Sequence, residues 1–359
     1  MSQSNHHIEL GGRLFKPYAI PALVVGVVLL MILDLSLGSV RIPFDQVFNI
    51  MTGGSVENPA WQSIILKIRL PRTITAILAG AALSIGGLQM QTLFRNPLAG
   101  PSVLGITAGA SLGVAAVMLA AGSATTIFSI QQLGIGGSWL IILSSTLGAG
   151  LVLFLILLIS FKIRDNVVML IVGIMVANIT IAVVSIWQYF SDPEQIQEYI
   201  LWTFGSLGGV TNEQLSILAI IVGVGVLLSF FLSKTLNALL LGESYAQSMG
   251  LNIKWARIYV IAVTSLLAGA ITGFCGPIGF VGIAVPHLTR SFLNTSDHRI
   301  LIPSCILVGA MLMLVCDIIA QVPGTSTVLP VNAITAMIGS PIVIWIIVRR
   351  RNLKSSFGS

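Results

Sequence analysis

Polar, glycine and proline clusters cut this chain into ten apolar runs, and the runs occupy most of its 359 residues. They lie near 18 to 37, 64 to 92, 103 to 121, 138 to 160, 167 to 187, 213 to 233, 255 to 275, 279 to 293, 300 to 321 and 331 to 348. Most are close to the roughly 20 residues that a helix needs to cross a bilayer. Backbone surrounded by hydrocarbon must satisfy its own N–H and C=O groups, so such runs fold as helices. Only 8% of residues are charged and 55% are apolar, too little polar surface to cover a water-soluble fold. The expected fold class is all-α: a polytopic membrane protein of about ten transmembrane helices forming one domain over 1–359.

The first run follows Arg13 and Lys16, as the core of a signal peptide would. It is long for such a core and no small-residue cleavage site follows Leu37, so a retained helix is expected. The eighth run is short and contains Pro286, with Pro277 just before it, which predicts a broken or partly buried helix. Short interfacial helices are expected within 38 to 61 and between Ser191 and Gly209. Cys275, Cys305 and Cys316 lack metal-ligand spacing and read as small buried side chains.

Orientation follows from the basic residues. With a cytoplasmic N-terminus, ten spans place fourteen of the eighteen Lys and Arg residues inside and leave Arg41, Lys67, Arg69 and Arg72 outside. Both termini are then cytoplasmic. The net charge of +6 is accounted for by this bias and by anionic membrane lipid, so no nucleic-acid partner is implied.

Arg69 and Arg72 stand out because insertion rules would place such a cluster on the other side. Two readings are open: snorkelling to lipid phosphate, or ion pairing with an acidic partner, for which the guanidinium fork is suited. The chain also carries an internal similarity. Thr75-Ala76-Ile77-Leu78-Ala79-Gly80-Ala81 aligns with Thr264-Ser265-Leu266-Leu267-Ala268-Gly269-Ala270, and the same register sets Gly87 on Gly276 and Pro97 on Pro286. The copies stand five spans apart in the order, with four between them, so repeat halves of about 64–187 and 255–348 would be inverted, an arrangement common in transporters. Shared demands for close helix packing can produce part of the match by themselves.

The longest inner loop holds Leu241 to Gly250. Leu241, Tyr245, Ala246 and Met249 fall at helical spacing, Glu243 suits a first turn, and Gly250 can terminate a helix in the left-handed conformation. Such a helix lies flat on the membrane or docks into a groove of another protein. No phosphate-cradling G-x-x-x-x-G-K-[ST] sequence is present, so energy has to come from a partner or from an ion gradient. For a gradient-driven carrier the intramembrane acids Asp34 and Asp317 lie near span ends, where helix-end roles suit them better than a proton relay. His287 beside Pro286 reads as a structural histidine, and no metal site or cofactor is expected.

The Arg-Leu-Pro-Arg sequence at 69–72, Gln91 to Ala99, Leu104-Gly105, and Leu-Gly-Glu with Ala246 and Gly250 together resemble one family. So do Gly279-Phe280-Val281-Gly282, Pro286-His287 with Arg290, Asp297-His298-Arg299 and Leu329-Pro330-Val331. The chain resembles the FecCD-type permease subunits of type II ATP-binding-cassette importers for ferric siderophores, haem or cobalamin, over about residues 13 to 350. The resemblance implies a ten-helix inverted-repeat protomer, a homodimer around a central path, and an inner-membrane location. Its implied partners are cytoplasmic ATPase subunits and an extracytoplasmic substrate-binding protein. It assigns Arg69 and Arg72 to docking of the binding protein, with Gln321 standing where some relatives carry arginine. It also assigns Leu241, Gly242, Glu243, Ala246 and Gly250 to coupling with the ATPase, and Asn166 and Val167 to a cytoplasmic gate. The chain is thus expected to transport a metal chelate, most plausibly a ferric siderophore, and not to be an enzyme. A stand-alone secondary transporter or channel is the alternative.

Overall fold

The computed structural model describes residues 18–120, 135–160, 166–325 and 327–355. Fifteen α-helices are described, with no strand among these residues. They are α1 (Ala19–Ser36), α2 (Phe44–Thr52), α3 (Pro59–Ile64), α4 (Leu70–Leu93), α5 (Ile106–Ala115), α6 (Ile135–Ser160), α7 (Asn166–Phe190), α8 (Pro193–Thr203), α9 (Asn212–Phe231), α10 (Ser233–Leu240), α11 (Glu243–Ser248), α12 (Ile253–Cys275), α13 (Val281–Leu293), α14 (His298–Ala320) and α15 (Val331–Ser355).

Among the described residues, seven helical segments are long and apolar enough to span a bilayer. Two shorter apolar helices, Ile106–Leu119 and Val331–Trp345, and the buried α13 coincide with the other three runs read from the sequence. The second run is longer than expected: α3, a π-helical turn over Ile65–Arg69 and α4 form one continuous helical segment from Pro59 to Leu93. α2 and α8 are the short helices expected beside the spans.

α4 is the axis of the protein. Along the Pro59–Leu93 segment 83% of the most apolar window is buried, against 17% for α1 and 22% for α7. It packs against α14, α12, α13 and α9. Lipid is as apolar as a leucine side chain, so helices here associate through close packing and hydrogen bonds. Glycines permit that approach. A Cβ on Gly80 would lie 2.1 Å from the Gly309 carbonyl oxygen in α14, and one on Gly87 would lie 1.7 Å from the Gly282 carbonyl oxygen in α13. Polar ties then fix the register. Ser84 donates to the Cys305 carbonyl at 2.8 Å, Gln89 donates to Ser229 at 2.8 Å, and Thr264 donates to Gln89 at 2.7 Å.

Pro286 is accommodated within α13 by a neighbour. Proline has no N–H for the carbonyl four residues earlier, here Gly282. The Gln91 side-chain amide lies 3.5 Å from that oxygen and donates to the next carbonyl, Ile283, at 3.1 Å. Arg290 of the same helix donates to the Gln91 oxygen at 2.8 Å. At the lower end His298 sits between Thr92 and Asn237, each 2.8 Å from one ring nitrogen. Burial pushes the Asp297 carboxyl up, but hydrogen bonds from the Arg299 N–H and the Asn237 amide hold it below the usual range.

α4 and α12 run in opposite directions. Arg72, at the start of α4, lies beside Gly208, and Cys275, at the end of α12, accepts from Ser206. At the opposite ends Arg95 lies beside Gly242, whose neighbour Glu243 pairs with Arg257 of α12. The proposed repeat register corresponds only within these helices. Gly87 is inside α4 whereas Gly276 follows α12 at φ +76°, and Pro97 is in a connection whereas Pro286 is helical. Each glycine and proline answers a different local demand.

Substituting Gly87→Val forces α4 away from α13, so loss of monodisperse protein in detergent, or a clear fall in Tm, is expected. Gly223→Val, with no heavy atom within 4 Å of the added Cβ, should behave as wild type. Equal stability of the two variants would show that the glycine contact is not what seats α13.

Candidate functional site

Two polar constellations lie at opposite ends of α4, about 36 Å apart at 1.5 Å per residue over 24 residues. The upper one gathers Asp34 of α1, Arg69, Arg72 and Thr73 at the start of α4, and Asp317 and Gln321 at the end of α14. Arg72 forms a bidentate pair with Asp317: its Nε lies 2.9 and 3.0 Å from the two carboxylate oxygens and its Nη2 2.8 Å from one of them. Asp34 accepts from Thr73 at 2.5 Å and from Gln321 at 3.1 Å, and Gln321 also donates to Asp317 at 2.9 Å. The amide of Gln321 thus bridges two buried carboxylates. Asp34 and Asp317 take part in helix-end contacts, as their positions in the sequence predict.

Arg69 departs from the sequence expectation. It is only 5% exposed, and its guanidinium donates to the carbonyls of Leu35 at 2.6 Å, Ser36 at 3.0 Å and Val40. These include carbonyls of the final turn of α1, which have no partner within the helix. Arg69 therefore fastens α1 to α4 from the inside. Of the four basic residues expected outside, Arg41 and Lys67 are exposed, Arg72 keeps a 13% exposed edge, and Arg69 is enclosed. Spacing along the chain cannot reveal this division, because it depends on the non-helical segment after α1 folding back over Arg69.

The lower constellation is built on α11, a six-residue helix bounded by glycines in conformations that side chains disfavour: Gly242 at φ +110° and Gly250 at φ +86°. Ala246 is fully buried against the body. Glu243 pairs with Arg257 of α12 at 2.7 Å, with Arg257 only 7% exposed. Opposite these anchors, Leu241, Tyr245 and Met249 are 62%, 54% and 54% exposed at four-residue intervals. Of the residues assigned to coupling, Leu241 projects outward, Gly242 and Gly250 shape the turn, and Glu243 and Ala246 hold the helix in place. Tyr245 and Met249 complete the projecting face; the signal for them was their four-residue spacing.

Asn166 and Val167 open α7, but their side chains lie outside the described residues. A third feature was not anticipated. A groove of about 450 Å³ between α5 and α7 carries the hydroxyls of Ser102, Thr107, Ser111, Thr180, Ser185 and Tyr199. Burial pushes the Tyr199 hydroxyl up, while its hydrogen bond with Ser111 acts in the opposite sense. Thr107 and Ser111, one turn apart, were the available signal. Among the described residues no cluster of three His, Cys, Asp or Glu side chains could hold a metal ion.

Known proteins match this chain over nearly its whole length. It is 32% identical to the hemin transport system permease protein HmuU of Yersinia pestis, covering 93% of this chain and 98% of that protein. It is 35% identical to the vitamin B12 import system permease protein BtuC of Klebsiella pneumoniae, over 81% of this chain and 84% of that one. A solved metal-chelate type ABC transporter in an inward-facing conformation aligns with a TM-score of 0.80 and 27% identity, over 93% of this chain and 100% of that one. The sequence profile of one family matches residues 26–349, and on that match this chain belongs to the FecCD transport family.

Proposed function

We propose that this permease subunit of an ATP-binding-cassette importer carries an intact metal chelate, most plausibly a ferric siderophore, as a homodimer in the inner membrane. Relatives named for hemin and vitamin B12 support a large chelate as cargo, and the absence of a metal-ligand cluster among the described residues suits a metal that travels inside its chelator. ATP hydrolysis belongs to separate subunits. The observation that carries the coupling mechanism is the two-sided α11: Ala246 and the Glu243–Arg257 pair hold one face while Leu241, Tyr245 and Met249 present the other. Closure of the ATPase pair pushes on that face. The glycine-bounded helix, tied to α12, passes the displacement into the spans and opens the path to the other side.

The docking role is assigned to the exposed edge of Arg72 together with Arg41 and Lys67, with Arg69 and Gln321 holding the cluster beneath them. An acidic binding protein would compete with Asp317 for Arg72. Asn178, exposed at the midpoint of the sparsely covered α7, supports a second copy or a hydrated path against this helix, because an amide is costly in hydrocarbon. The hydroxyl-rich groove beside α7 is placed on the same path. Asn166 and Val167 retain the gate role by resemblance. Both termini are placed in the cytoplasm on the distribution of basic residues.

Experiments on coupling, docking and cargo test these assignments. Tyr245→Asp with Met249→Asp should leave folding intact and abolish ATPase stimulation and uptake in proteoliposomes; full uptake by this variant would remove the coupling role. Ala246→Asp should instead lower stability, since it buries a carboxylate. Arg41→Glu with Lys67→Glu should slow association of the binding protein about tenfold at low ionic strength and little at high salt, whereas Arg69→Ala should cost about 3 kcal/mol of stability by leaving helix-end carbonyls unpaired. Association of the Arg41→Glu, Lys67→Glu variant at the wild-type rate at low ionic strength would exclude electrostatic docking through these residues. Finally, a panel of labelled ferric siderophores, haem and cobalamin offered to the reconstituted importer identifies the cargo; uptake of free iron alone would overturn the chelate reading.

A further inference from the structure

An apolar groove runs between α9 and α12 at the same end of the bundle as α11. Leu228 and Phe231 of α9, with Leu232 just beyond it, form one wall; Tyr259, Ala262 and Leu266 of α12 form the other, and the cavity measures about 560 Å³. Tyr259 and Leu266 lie on one face of α12, seven residues apart, and Trp255 continues that face toward the end of the helix. Trp255 and Tyr259 stack with ring centroids 5.9 Å apart, and both are more than half exposed. Amphipathic rings at the end of a span mark the depth of the headgroups.

The rim is basic. Lys234 follows Phe231 by three residues, Lys254 precedes Trp255 by one, and both are exposed. Neither makes an ion pair among the described residues. The sequence from Lys234 to Lys254 contains one acid, Glu243, and it is paired with Arg257. One exposed lysine thus lies in the chain near the end of each wall of a cleft large enough for an acyl chain, and Trp255 and Tyr259 follow Lys254 along α12 toward the apolar lining. We propose that this groove is a binding site for an anionic glycerophospholipid, its acyl chain lying between α9 and α12 and its phosphate between Lys234 and Lys254. The occupant bridges α9 to the helix that holds α11, so lipid at this position stiffens the support of the projecting peg.

The test uses the full-length permease in detergent, titrated with phosphatidylglycerol and phosphatidylcholine and read by native mass spectrometry. Wild type should prefer phosphatidylglycerol by roughly ten- to thirtyfold, the product of about fivefold for each lysine near a headgroup. Lys234→Ala with Lys254→Ala should reduce the preference to near unity, and Lys234→Arg with Lys254→Arg should keep it. Ala262→Trp, which fills the groove, should lower uptake of both lipids while leaving the protein monodisperse. The site is refuted by an undiminished phosphatidylglycerol preference in the double-alanine variant, or by unaltered lipid binding in Ala262→Trp. It is equally refuted if a photoreactive residue at position 259 captures a membrane protein and not lipid. Because the readout is lipid mass on the permease itself, failure here is distinct from failure of the ATPase coupling assignment.

Discussion

The backbone contacts that α4 makes at Gly80 and Gly87 set the geometry on which the other helices depend. In a bilayer, hydrophobic burial supplies little force between helices, so the distance between helix axes follows from the size of the side chains at the crossing. With Gly309 and Gly282 opposite, α14 and α13 approach until carbonyls replace side chains as the contact surface. That closeness brings Ser84, Gln89 and Gln91 within reach of partners on four other helices. It also brings the Gln91 amide to the Gly282 carbonyl that Pro286 leaves without an N–H partner and onto the neighbouring Ile283 carbonyl, inside a 13-residue helix interrupted by proline.

The same axis separates the two polar constellations at its ends. At the upper end the pairing of Arg72 with Asp317 neutralises charge that would otherwise be costly so close to the hydrocarbon, while Gln321 links Asp317 to Asp34 without adding a further cation. The cluster is therefore cohesive in the free subunit, and in the docking proposed above a partner would have to compete with an internal carboxylate. At the lower end a short helix is immobilised on one face and left apolar on the other. Rigid attachment is what the proposed coupling requires, because a small element that bent away could not pass a displacement to α12.

Much of this was legible before any coordinates. Run lengths and charge placement indicated a helical membrane protein, and the pattern at Leu241–Gly250 indicated a helix ended by glycine. Proline in the eighth run indicated a helix that had to be buried. Tertiary information changed the assignments where one residue type serves two purposes. Arg69 and Arg72 are three positions apart with the same side chain, yet one satisfies the end of α1 and the other faces a carboxylate contributed 245 residues later. Similarly, Glu243 and Ala246 read as partner contacts in the sequence, but their own fold uses them as anchors, leaving Tyr245 and Met249 to project.

By itself, the order of residues determined how many segments enter the membrane, that the chain must be helical there, and that it carries no nucleotide-phosphate loop, because these depend on hydropathy, backbone hydrogen bonding and local motifs. Only the tertiary structure decided which cations are free, which carboxylates neutralise them, which face of α11 is available, and where apolar clefts remain between spans. Those properties belong to pairs of residues far apart in the chain, and burial and pairing exist only after the glycine contacts have drawn the helices together.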